Sequence, residues 1–259
     1  RDGRKDLIAV DEAAAELAWF ENRHPTWTRH VLALNVPRPL NADCWDVDGD
    51  GVPELVLAYR FESDPKRSVG NLDLFKAGPD VRQSWSAREI DRIPTAHRVR
   101  WIDPQGDGKK KLLVGPMVGQ KYPPQADDPT PIYLYRPDPW KRETVSDAPR
   151  GILHAINPVN WDDSGRQQVL AASHAGLHRI EFRDGRWTAT LLSRGDPRPF
   201  PNCGSSEVRL GQLGVRRFLA AIEPWHGNQL VVYLSAESEW KRTVLDDTMD
   251  NGHALAVGD

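Results

Sequence analysis

Two independent markers recur along this chain of 259 residues at a common interval, and that interval limits the folds open to it. The first is tryptophan: T-W-T-R-H-V-L at Trp27, S-W-S-A-R-E-I at Trp85, P-W-K-R-E-T-V at Trp140, R-W-T-A-T-L-L at Trp187 and E-W-K-R-T-V-L at Trp240, spaced 58, 55, 47 and 53 residues apart. The second is a turn containing glycine, acidic in most units, ahead of an apolar run, at Gly3, Gly51, Gly108, Gly165 and Gly214, with steps of 48, 57, 57 and 49. Between them lies a third short run of β type, such as L-D-L-F-K or I-Y-L-Y-R, and from the second unit on a fourth precedes the glycine, as in H-R-V-R-W-I-D. Four short strands per unit of about fifty residues, punctuated by Gly, Pro and Asp, predict an all-β β-propeller of four-stranded blades. The chain begins inside the first turn of one blade and ends in G-H-A-L-A-V-G-D, read as the innermost strand of another. It therefore holds about five blades in one propeller domain over residues 1–259. If the ends meet, the last strand completes the first blade; the equivalent positions of both ends favour a segment of a larger ring. The five repeated tryptophans are read as packing between blades.

Composition agrees and excludes other classes. Hydrophobic residues are 39% and Gly and Pro number 20 and 21, too apolar for disorder and too rich in turn formers for a helical bundle. The net charge of -3 gives a nucleic-acid partner no support. No apolar run approaches the roughly 18 to 20 residues that span a bilayer. Cys44 and Cys203 can form at most one bridge, so this is no disulfide scaffold.

The second-unit turn, D-V-D-G-D-G-V-P-E, sets Asp46, Asp48, Asp50 and Glu54 at the spacing with which alternate carboxylates converge on a hard cation, and all-oxygen ligands favour calcium. The expected role is structural, bracing a hairpin. The later turns keep only some acids, and Lys111 stands where the third would have its closing carboxylate; these are read as polar turns.

Propeller topology puts these turns on one face and the starts of the innermost strands on the other. His97 and His154 each lie 11 residues before their glycine, and His253 holds the matching place in the last unit. His174 in S-H-A-G and His226 in W-H-G-N follow the next strand and open on the same face. Five of eight histidines are thus expected at one mouth of the central channel, near Arg98, Lys121, Tyr122, Glu207, Glu223 and Trp225. Imidazoles suit acid–base work near neutral pH or a second divalent metal, and rings such as Trp225 and Tyr122 can stack on sugar faces.

The acidic turns resemble FG-GAP or VCBS repeat propellers. G-N-L-D-L-F-K, P-T-A-H-R-V-R-W-I-D, I-E-P-W-H-G-N-Q-L-V-V-Y and G-H-A-L-A-V-G-D resemble the propeller of aldos-2-ulose dehydratase and its bacterial relatives. That resemblance implies seven blades, an extracellular or periplasmic setting, and β-elimination from a keto-sugar or glycan. In such a lyase His154 or His97 would be the base and His226 or Tyr122 the acid. Arg98, Lys121 or a His-bound metal would hold the enolate oxygen, with His174, Glu207, Glu223, Trp225 and His253 lining the substrate. The competing expectation is a non-catalytic, calcium-binding propeller that binds carbohydrate or protein. Oligomeric state is not legible.

Overall fold

The computed structural model describes residues 3–236 and 239–258, so the first and last residues of the chain, Arg1 and Asp259, lie outside the described residues. Among those described there are nineteen strands and no α-helix. The first sheet has three strands, β1 (Leu7–Asp11), β2 (Glu16–Arg23) and β3 (Thr26–Leu34), in that order. Four four-stranded sheets follow. The second contains β4 (Asn41–Trp45), β5 (Glu54–Tyr59), β6 (Asn71–Lys76) and β7 (Ser86–Arg92), and the third β8 (Ala96–Ile102), β9 (Lys111–Pro116), β10 (Ile132–Tyr135) and β11 (Arg142–Ser146). The fourth contains β12 (Leu153–Val159), β13 (Gln168–Ser173), β14 (Gly176–Arg183) and β15 (Arg186–Ser193). The fifth contains β16 (Glu207–Leu213), β17 (Arg216–Glu223), β18 (Gln229–Ala236) and β19 (Glu239–Asp246). Each is a meander of sequential strands, which is the blade of a β-propeller.

Burial grades across each blade as the sequence patterns require. The second strands β5, β9 and β13 are buried along their whole length, which is why E-L-V-L-A-Y and Q-V-L-A-A-S are continuous rather than alternating runs. The fourth strands β7, β15 and β19 are largely exposed, and β7 and β19 are correspondingly charged. The chain divides between Trp101 and Ile102 into two compact units. In the first, Leu17, Leu32, Leu55, Leu57 and Phe75 form a core between the first two sheets. In the second, Leu113, Ile132 and Leu134 pack with Ile156, Val169 and Ile180, and Leu170, Ala172 and Leu177 pack with Val208, Leu219 and Tyr233. Each large apolar side chain so buried contributes about 1.5–3 kcal/mol.

Three of the repeated tryptophans pack at these junctions: Trp85, Trp187 and Trp240. Each covers the core shared with the sheet preceding its own. Trp27 belongs to the first sheet, has no preceding sheet among the described residues, and is 48% exposed. All five repeat glycines adopt positive φ, between 59° and 82°, which accounts for glycine at those turns. The expected innermost strand at the end of the chain does not form: residues 252–258 carry no ladder. An extended segment becomes a strand only where a neighbour satisfies its N–H and C=O groups, and this one is held by its preceding turn instead. No helix among the described residues is long and apolar enough to cross a membrane.

Candidate functional site

In the second unit the loops that precede the innermost strands and follow the second strands meet at one end. His154 is the second residue of β12, fixed where Leu153 donates its N–H to the Met117 carbonyl at 2.8 Å. The β13 end is tied to the same place, since Ser205 N–H donates to Ser173 O at 3.0 Å and His174 N–H to Ile152 O at 3.1 Å. Gly204 makes this approach possible: its φ is +68°, and a Cβ there would lie 2.4 Å from the Ser173 carbonyl oxygen. His226 follows β17 in the turn P-W-H-G, itself at φ +46°, a left-handed conformation that costs a non-glycine residue about 1–2 kcal/mol. His253 arrives without a strand: Asn228 Nδ2 donates to Asp247 O at 2.7 Å, Met249 N–H to Asn228 O at 3.2 Å and Gly252 N–H to Gly227 O at 2.9 Å.

These contacts bring His154, His226 and His253 together. One ring nitrogen from each lies within 4.8 Å of the others. The ring centroids are 4.8, 4.8 and 4.5 Å apart, and His154 Nε2 is 3.1 Å from His226 Nε2. His154 is buried, His226 half-buried and His253 exposed, so the cluster runs from interior to surface. Behind it, His154 Nδ1 lies 3.2 Å from the Ser206 carbonyl oxygen and 3.3 Å from Glu207 Oε1. A carbonyl oxygen can only accept, so Nδ1 carries the proton and the Nε2 lone pair faces the other imidazoles. Trp225 stacks on His226 at 4.3 Å with planes 17° apart, fixing that ring.

Three convergent imidazole nitrogens, one of them backed by a carboxylate through its far N–H, are the donor set of a borderline transition cation such as zinc. The residues present fit such an ion, with His154, His226 and His253 as its ligands and Glu207 orienting the first of them.

The other expected residues are placed as follows. His174 is buried; its Nδ1 accepts from Ile152 N–H at 2.9 Å, and Phe200 packs on its ring at 4.9 Å. Burial pushes its pKa down from the ordinary 6.5 to about 4, so it is neutral at physiological pH and serves as a fixed polar group. An imidazole depressed in the folded state stabilises fully above the unfolded value and loses that contribution as pH falls from about 6.5 towards 4. Urea unfolding of His174→Asn is therefore expected to show a flatter loss of stability across that window than the parent; an unchanged slope would remove His174 as its source.

Lys121 pairs with Asp127 at 3.2 Å, its N–H donating to Asp128 Oδ2, on the loop after β9, and Tyr122 beside it is 49% exposed. Glu207 and Glu223, expected to line the substrate, are both buried and engaged by protein groups. Glu207 meets His154 and, at 3.3 Å, Arg209; Glu223 accepts from Ser205 Oγ at 2.8 Å, Tyr233 OH at 2.5 Å and Arg242 Nε at 2.8 Å. Both positions anchor the site from behind instead of facing a ligand. The Glu223 network was hidden in the sequence because Tyr233 and Arg242 lie on β18 and β19 and only strand pairing unites them with the end of β17.

His97 and Arg98 belong to the first unit. His97 has the β8 register that His154 has in β12, is buried, and lies 5.9 Å from Phe61 between ring centroids. In the same unit Asp46, Asp48 and Asp50 come within 4.8 Å of one another. Their turn is held by protein groups: Asp46 accepts from Gly49 N–H and Gly51 N–H, both at 2.8 Å, and Glu54 from Val47 N–H at 2.8 Å. The Lys76 ammonium sits among the acids, bonded to Asp48 and 3.5 and 3.3 Å from Asp50 and Glu54, and it holds the Asp48 carboxyl below its usual range. In the third sheet Asp103 caps Gly106 and Gly108 N–H, both at 2.7 Å, as a polar turn does.

Fold and site together define a β-propeller with a tri-imidazole cluster at one end of its blades. The family model of the aldos-2-ulose dehydratase β-propeller domain matches residues 70–236, and the chain belongs to that family. Its fold is shared with the solved structure titled "Structure of YjhT", at a TM-score of 0.51 and 11% identity over 91% of this chain and 80% of that one. A chain of a nidogen/laminin complex aligns over 92% of each chain with 12% identity and a TM-score of 0.40, too loose to carry an argument. No curated protein matches.

Proposed function

We propose that this propeller is a carbon–oxygen lyase that eliminates water or an alcohol from a neutral keto-sugar or glycan, at a divalent-metal centre made by His154, His226 and His253. The observation that carries this is the convergence of three ring nitrogens within 4.8 Å, in a family whose name is that of a dehydratase. An ion held there supplies Lewis-acid polarisation of the substrate carbonyl, which acidifies the neighbouring C–H. Glu207 holds the proton on His154 Nδ1 and so keeps its Nε2 free as a ligand. Glu223 fixes the end of β17, from which Trp225 and His226 project, and Trp225 offers its free ring surface to the apolar face of a sugar. The α-proton passes to a solvent base at the exposed, His253 side of the cluster, and Tyr122, on an exposed loop, is the group assigned to protonate the departing β-oxygen. His97 and Arg98 enter no step of this scheme. The test is the rise of enone ultraviolet absorbance from 1,5-anhydrofructose before and after chelation. Loss of the rate on chelation and its return with zinc is expected. A rate indifferent to chelation would favour imidazoles acting as acid and base, and no rate under either condition would favour a binding module.

For the acidic turn we infer a calcium site of structural role that competes with Lys76. Lys76→Met is expected to raise calcium affinity several-fold, because it removes a like charge and frees the Asp48, Asp50 and Glu54 oxygens that the ammonium engages. Calorimetry showing no calcium binding in either form would leave Asp46 to Glu54 as a polar turn braced by the ammonium.

A further inference from the structure

The first unit contains a cavity that the elimination scheme leaves unused. It lies where the end of β3 meets β6 and the start of β7, has a volume of about 300 Å³, and is lined by Leu32, Val36, Tyr59, Asp73, Phe75 and Trp85 among others. Trp85 is held in its wall by its backbone N–H, which donates to Leu32 O at 2.8 Å, and by its indole N–H, which donates to Val81 O at 2.9 Å. The walls are mainly aromatic and aliphatic, with Asn35 and Ser84 as neutral polar members, and no lysine or arginine is among the lining residues.

One charged group breaks this apolar lining. Asp73 projects from β6 and is only 7% exposed. Its Oδ2 accepts from the Tyr59 hydroxyl at 2.9 Å, whereas Oδ1 is buried with no hydrogen-bond partner. Burial raises the Asp73 pKa, with Glu89 adding to the effect and Tyr59, Asn71 and Arg60 opposing it. Burial and the same carboxylate push the Tyr59 hydroxyl up to about 12. Burying a carboxylate is costly, the Arg60 charge offsets that cost only in part, and an unsatisfied acceptor costs about 1–3 kcal/mol more. Natural proteins leave few such atoms unanswered, and this one belongs to a residue that lines the cavity.

We propose that this cavity binds a small organic cation, a protonated amine with an apolar body, whose N–H group satisfies Asp73 Oδ1 and whose body lies against Trp85 and Phe75. Three features select this chemistry. An ammonium supplies both the missing hydrogen bond and a countercharge in direct contact, whereas a neutral hydroxyl supplies only the first. Aromatic faces attract cations, most strongly where water is excluded. The cavity volume is at the lower end of small-molecule sites, enough for a compact amine but not an oligosaccharide.

The experiment is calorimetric titration of the full chain with benzylammonium and with benzyl alcohol, which share a shape and differ in charge. Benzylammonium is expected to bind at least about tenfold more tightly. In Asp73→Asn the ratio is expected to fall to within about twofold of unity. Ala87→Phe, which fills the cavity from an exposed lining position, is expected to abolish binding of both while leaving the thermal midpoint unchanged. Equal affinity for the two probes in the parent, no binding of either, or an amine preference that survives Asp73→Asn would each overturn the proposal. Tighter binding of myo-inositol than of the amine would overturn it in favour of a polyol site.

Discussion

His154→Ala is expected to lose its bound divalent metal and to slow elimination by about 10²–10³-fold, the cost of removing a group that supports a developing oxyanion. His154 is the one member of the cluster that is buried, and its Nδ1 is committed to Ser206 O and Glu207. No neighbouring side chain can take its place. His226→Ala is expected to have a similar effect, and His253→Ala a smaller one, because His253 is exposed and water can occupy its position. Glu207→Gln separates positioning from ligation: the amide oxygen still accepts from Nδ1 but without charge, so metal affinity is expected to fall about 10–100-fold with the fold intact. Metal content by mass spectrometry and the zinc dependence of the rate check both. Full metal occupancy in His154→Ala would remove the cluster from the account.

The largest expected effect on stability is at Glu223. Its carboxylate is completely buried and holds Ser205, Tyr233 and Arg242, and Arg242 in turn reaches Gln229 Oε1 at 2.5 Å. Glu223→Ala removes the acceptor shared by Ser205, Tyr233 and Arg242; because the Arg242 side chain is 27% exposed and keeps Gln229 and, at 4.0 Å, Asp196, the loss is expected at about 2–3 kcal/mol, below that for a fully buried pair. Adding Arg242→Met should recover part of that loss, because the charge that has lost its nearest partner is then gone as well. Denaturant unfolding of the two single variants and the double variant measures it. A loss below about 1 kcal/mol for Glu223→Ala would mean that the network is incidental. The same variant should weaken metal binding at His226, since Glu223 terminates the strand from which that turn projects.

Much of the fold and site is legible in the sequence because a repeat converts one-dimensional spacing into three-dimensional equivalence. The regular glycines mark the first turns of the blades, and the repeat register places His154 and His226, whereas His253 reaches them through the bonds of the turn before it rather than through a strand. The two glutamates are assigned by sequence to the right neighbourhood but to the wrong side of it. Nothing local distinguishes a carboxylate that faces a ligand from one that backs a histidine; that depends on which residues arrive from β16, β18 and β19. Trp27 is exposed, and among the described residues no sheet precedes its own. Residues 252–258 carry no ladder, and the backbone bonds to Asn228 and Gly227 suffice to deliver His253. Lys76 is invisible to sequence reasoning as well: its ammonium reaches the acidic turn through the β5–β6 pairing, 22 residues beyond Glu54 in sequence.

The most direct measurement is anomalous diffraction at the zinc edge from crystals of the parent chain grown with zinc. One strong peak is expected, bounded by the ring nitrogens of His154, His226 and His253 and absent in His154→Ala crystals. Well-ordered imidazoles with no anomalous peak between them, or a peak that persists without His154, would contradict it.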